Sequence, residues 1–84
     1  MTPAERADAL ARVRAWVRLF DGDPTTNEET RRVARLYPPQ RSIRAVARVA
    51  AHHGAAGDAH EINALALECE THALTWREID EAAS

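Results

Sequence analysis

This chain has no lysine; all eleven of its basic residues are arginine. That absence removes the strongly hydrated ammonium group. It leaves the planar guanidinium fork, which suits two-armed contact with carboxylate, phosphate or base edges. An Ala-rich, Lys-free composition is also what a GC-rich genome yields with no functional demand behind it. Cysteine is nearly absent too. With Cys69 alone no disulfide can form within the chain, and a reducing, cytoplasmic setting is expected. Glycine occurs three times, at spacings that make no phosphate-cradling Gly-rich loop, and with a thin core a deep preorganised pocket is not expected. No dinucleotide fingerprint, nucleophile motif, CxxC pair or HExxH motif is present. The expectation is a protein that is not an enzyme and has no cofactor or metal. No apolar run approaches the roughly 18–20 residues of a spanning helix, so no membrane partner is expected. The opening MTPAERADAL lacks the apolar core of a secretion signal.

Large apolar side chains are also few: six Leu, five Val, three Ile, one Phe and two Trp, against eighteen Ala. Eighty-four residues make one domain, spanning 1–84. A core of this size leaves a small margin over chain entropy, and Ala fills little volume, so helices must pack closely. Oligomerisation is the other way to supply burial, and a homodimer is a natural expectation.

β-branched residues are sparse and nothing alternates with period two, so no strand is expected. Four capping-box patterns mark helix starts instead: Thr2…Glu5, Thr26…Glu29, Asp58…Glu61 and Thr75…Glu78. The first helix is predicted from about Pro3 to Phe20, with Ala9, Leu10, Val13, Trp16, Val17 and Phe20 on its inner face. The second is predicted from about Asn27 to Leu36, with Val33, Leu36 and Tyr37 inward, and Pro38 and Pro39 break it. The third covers about Gln40 to His53, with Ile43, Val46, Ala47 and Ala50 inward and Gly54 as its C-terminal cap. The fourth covers about Ala59 to His72, with Ile62, Leu65, Ala66 and Cys69 inward. A short fifth runs from about Trp76 to Ala83, stapled by Leu74 and Ile79. The expected fold is all-α: a compact single-domain bundle of four helices plus a short C-terminal fifth.

Charge is divided along the chain. Up to His53 there are ten Arg against six acids, a formal +4; from Gly54 onward there is one Arg against seven acids, a formal −6. On the third helix Arg41, Arg44 and Arg48 recur at i, i+3, i+7, opposite the apolar stripe. Arg31, Arg32 and Arg35 stand on the preceding helix across a short turn. A helix with one buried face and one Arg face can lie along a phosphate backbone or in a groove. These six arginines are the candidate binding residues, with nucleic acid or an acidic protein surface as partner. The competing expectation is structural: the same arginines pair with the acids of the C-terminal half. The order of the second and third helices fits a helix-turn-helix, although Tyr37-Pro38-Pro39 is stiffer than the usual Gly-containing turn. The segment TWREIDEA, within Leu74 to Ala83, resembles the first helix of helix-turn-helix units in many bacterial regulators. The turn and recognition helix would have to begin where the chain ends, so no DNA-reading role is carried onto it.

His52, His53, His60, Cys69 and His72 fall within 21 residues, and Cys69 and His72 stand one helical turn apart. Cys69 fits the inner stripe as a small hydrophobe, and His52-His53 suits the negative end of a helix. Trp16 reads as core; Trp76 reads either as core or as a partner anchor. Together these features suggest a small regulatory binding protein of the bacterial or phage accessory kind, DNA-binding or engaged in protein–protein interaction as an adaptor, inhibitor or antitoxin-like partner.

Overall fold

Of the five helices described, four begin where a side chain or a proline can deal with the first free amides. The computed structural model describes residues 2–81. Helix α1 spans Pro3–Gly22; the Thr2 hydroxyl accepts from the Glu5 N–H at 3.1 Å, and Pro3 stands in the first turn. It runs two residues past the predicted end at Phe20. Its buried stripe is Ala9, Val13 and Val17. Trp16 and Phe20 stack on each other beside that stripe, 5.4 Å between ring centroids.

Helix α2 spans Glu28–Ala34 and departs from expectation twice. Its cap is Asn27, not Thr26: Asn27 Oδ1 accepts from both the backbone N–H and the hydroxyl of Thr30. Its apolar side chains are also turned the other way. Val33, Leu36 and Tyr37 were expected inward, but all three are exposed, and α2 buries no residue. The reason is polar: Arg31 and Arg35 face the body of the domain and fasten the helix there, which turns Val33 and Leu36 outward.

Helix α3 spans Pro39–His52, with Pro39 buried at its first position, so the second proline starts this helix as well as ending the preceding turn. Ile43 and Ala47 are fully buried, and Val46 and Ala50 pack against the core. Gly54 caps it as expected, with φ 81°. The Ala55 N–H reaches Ala50 O and the Gly54 N–H reaches Ala51 O, the two bonds of a Schellman turn.

That turn leads directly into α4, Ala56–Thr71, three residues before the predicted start at Ala59. The Asp58…Glu61 box therefore does not form. Ala55 stands at the cap without a side-chain bond, and Asp58 lies inside the first turn. Ala59, Ile62, Ala66 and Cys69 are buried. The α4 C-terminus repeats the Schellman pattern, Leu74 N–H to Cys69 O and Ala73 N–H to Glu70 O. Here the left-handed position is Ala73, φ 51°. Helix α5, Trp76–Asp80, has a complete two-way capping box between Thr75 and Glu78. The helix was expected to continue to Ala83, but Glu81 leaves the helical conformation with ψ 94° and ends it; Ala82 and Ala83 lie outside the described residues.

Helices α3 and α4 form the most extensive helix pair, and α1 crosses α4 and contacts α5. One apolar cluster results, built from Val13, Val17, Ile43, Ala47, Ile62, Ala66, Cys69, Leu74 and Ile79. The fold is an all-α single domain, with a Cα radius of gyration of 12.4 Å. Among the described residues no helix is long and apolar enough to cross a membrane.

Candidate functional site

The six candidate arginines do not share one surface. Arg35 is the most enclosed. Its Nη2 lies 2.9 Å from Asp21 Oδ2 at the end of α1 and 2.8 Å from Asp80 Oδ1 on α5. Its guanidinium carbon sits 4.4 Å from the Trp76 ring centroid, at cation–π distance. The bond from Asp80, then that from Asp21, raises the Arg35 pKa against the opposing effect of burial. Arg31 donates to the carbonyls of Thr26 and Asp21. The Arg35 guanidinium is a joint between α1, α2 and α5, and that of Arg31 ties α2 to the end of α1 and the turn after it. Arg32 is exposed and pairs with Glu29 one turn back on its own helix.

The α3 arginines divide differently. Arg44 leans toward α4 and pairs with Glu70. Arg41 is exposed and rests on the Tyr37 ring, 4.6 Å to the centroid. Arg48 is exposed, and among the described residues it meets no acid. The outer side of α3 thus presents Arg41, Ala45 and Arg48, with Arg44 on the flank nearer α4.

Three large apolar side chains on α3 or just before it are exposed, and one of them, Tyr37, carries Arg41 on its ring. Leu36 is 66 % exposed, Val49 56 % and Tyr37 43 %. Beside Val49 a shallow open groove runs between the end of α1 and α3, lined by Phe20, Thr26, Thr30, Val46 and Val49. The nearby Asp23 carboxylate is occupied: the Thr25 hydroxyl and N–H both donate to it and lower its pKa. The sequence carried a signal for this surface in Val49, which lies off the Ile43/Ala47 stripe. It carried none for Leu36 and Tyr37, whose spacing suits an inward face.

Cys69 is fully buried, and burial, with Glu68 next to it, pushes its thiol up to about 11. A thiol held in that state is a poor nucleophile and metal ligand. His72 lies 3.7 Å from Glu68, which Arg12 also engages. Among the described residues no three His, Cys, Asp or Glu side chains converge as a metal cluster would require. Compared with family models, curated proteins and solved structures, the chain matches none.

Proposed function

We propose that this domain is a small, non-enzymatic binding module whose partner is an acidic protein surface with an apolar anchor. The reading rests on one observation: the two candidate arginines that meet no acid among the described residues, Arg41 and Arg48, are both exposed on α3, the helix that also exposes Val49, and Arg41 rests on the exposed Tyr37 ring. Exposed apolar side chains on the same side of a domain as charges that meet no acid of the chain are what an interaction surface offers a partner. Carboxylates of the partner would meet Arg41 and Arg48. An aliphatic or aromatic side chain would enter the groove beside Val49, where apolar contact holds the complex and charge sets approach and register. A regulatory role in a reducing, cytoplasmic compartment fits a chain with one buried thiol.

Nucleic acid is the second reading, favoured by the spacing of Arg41, Arg44 and Arg48 along one side of α3. It draws less support than the composition suggests, because Arg31 and Arg35 are committed within the fold and Arg32 and Arg44 each hold a carboxylate.

The two readings separate in one set of measurements. The parent, Val49→Asp and the double variant Arg41→Gln/Arg48→Gln are used in affinity capture, and any captured protein is purified and titrated back. An acidic-protein module loses its purified partner in both variants while their thermal melts stay near the parent's. A nucleic-acid module instead binds a short duplex at low salt. Its log affinity falls linearly with log salt, by about 0.9 per phosphate neutralised, and only the Arg variant flattens that slope. Duplex binding of that kind, indifferent to Val49→Asp, overturns the protein-partner reading.

A further inference from the structure

Helix α5 is seated by contacts that all lie beyond a single hinge. Glu78 receives both arms of Arg6 at 2.6 and 2.9 Å, and its carbonyl receives the Nε and Nη2 groups of Arg14. Asp80 receives Arg35, and Trp76 Nε1 donates to the Tyr37 carbonyl at 2.7 Å. Leu74 and Ile79 fill the core. The side-chain partners are on α1, at the C-terminal cap of α2 and at the turn into α3; among the described residues the one polar tie to α4, the helix from which α5 departs, is the Leu74 N–H on Cys69 O at the hinge itself. The connection from α4 passes through Ala73 at φ 51°, a left-handed conformation that an L side chain adopts at a cost.

We propose that the segment Leu74–Glu81 exchanges between two copies of this chain, each copy's seat accepting the other's α5. The occupant is defined by what already sits there. A second copy brings the same Glu78 to Arg6, the same Asp80 to Arg35 and the same Trp76 to the Tyr37 carbonyl. An exchanged dimer therefore keeps the side-chain contacts of the seat and gives up only the backbone bonds of the turn, Leu74 N–H to Cys69 O and Ala73 N–H to Glu70 O, so the balance between monomer and dimer is decided at the hinge and by the entropy of association. Ala73 biases that hinge toward opening. Turning it out of the left-handed region relieves its strain, and alanine is the residue best suited to carry α4 onward as helix. The resulting contact is two-fold symmetric, and the partner copy completes the seat by contributing Trp76, Glu78, Ile79 and Asp80.

The test uses the full chain. Light scattering on size-exclusion fractions across a concentration series reads the dimer fraction, first for the parent and then for Ala73→Gly. Glycine accepts the left-handed turn and resists helix extension, so it should lower the dimerisation constant by at least about tenfold. The variants Arg6→Glu and Glu78→Arg are then mixed. Each alone places like charges in its own seat, whereas in an exchanged pair every seat holds opposite charges. The mixture should form one-to-one dimers that neither variant forms alone, read by native mass spectrometry with one partner 15N-labelled. A parent that stays monomeric throughout the series overturns the proposal. So does a dimer indifferent to Ala73→Gly. These two readouts use folded protein even if the charge-reversed chains fail to fold.

Discussion

Arg6 and Glu78 stand 72 positions apart and meet through both arms of the guanidinium. The same side chain sends Nε to His72 O at 3.1 Å, so one arginine in the first turns of α1 closes the end of α4 and holds α5. The start of α1, the end of α4 and the short α5 are thereby tied to one body. Two-armed, charge-assisted pairs of this kind are among the stronger polar contacts available near a surface.

The first prediction follows from that pair. The Arg6 fork, working against partial burial and helped by the Thr75 bonds, holds the Glu78 carboxyl down to about 2, from an ordinary 4.5. The folded state therefore takes up this proton less readily than the unfolded chain. The stabilisation is complete above about pH 4.5 and is lost as pH falls toward 2. A Tm–pH profile of the parent should fall through that window. Glu78→Gln should lower Tm at neutral pH and flatten the profile; parallel profiles would remove Glu78 from the acid response.

The second concerns the two left-handed cap positions. Ala73→Gly should stabilise by about 1 kcal/mol, because the native conformation no longer strains a Cβ. Gly54→Ala should destabilise by a similar amount at φ 81°. In a domain this small each change corresponds to a Tm shift of roughly 4–8 °C. Equal melts for both variants would show that these turns are not strained as drawn.

A third prediction tests the orientation of α2. Ile43→Ala removes a fully buried side chain and should cost roughly 2–5 kcal/mol. Val33→Ala, at an exposed position, should stay within about 0.5 kcal/mol of the parent. A Val33→Ala loss approaching that of Ile43→Ala, measured by urea titration, would put α2 back with its apolar face inward.

The fourth separates joint from surface among the arginines. Arg35→Gln releases Asp21, Asp80 and the Trp76 ring together, and should lower Tm clearly and shift the Trp fluorescence. Arg48→Gln should leave both within error, since solvent replaces what little it touches. Similar melts for the two variants would contradict the division drawn among these residues.

The fifth is local. Thr75→Ala should cost roughly 0.5–2 kcal/mol through loss of the α5 cap. Amide exchange should rise first from Trp76 to Asp80, ahead of α3 and α4. Unchanged exchange there would remove the capping box from the account.

What the sequence determined by itself is whatever depends on near neighbours. Ala9, Val13 and Val17 recur at four-residue spacing, as do Ile43 and Ala47, and Ile62, Ala66 and Cys69 recur at four and three; helical geometry alone puts each set on one face. Gly54 and Thr75 act within a few residues of themselves, so their capping roles were legible as well. Only the tertiary structure decided the fate of the arginines. Whether a guanidinium is a joint or a free surface depends on acids such as Asp80, 45 positions from Arg35, which no periodicity relates to it. It decided α2 for the same reason. A seven-residue helix buries too little apolar area to choose its own face. The long polar reach of Arg31 and Arg35 turned it, exposing Leu36 and Tyr37, the latter under Arg41.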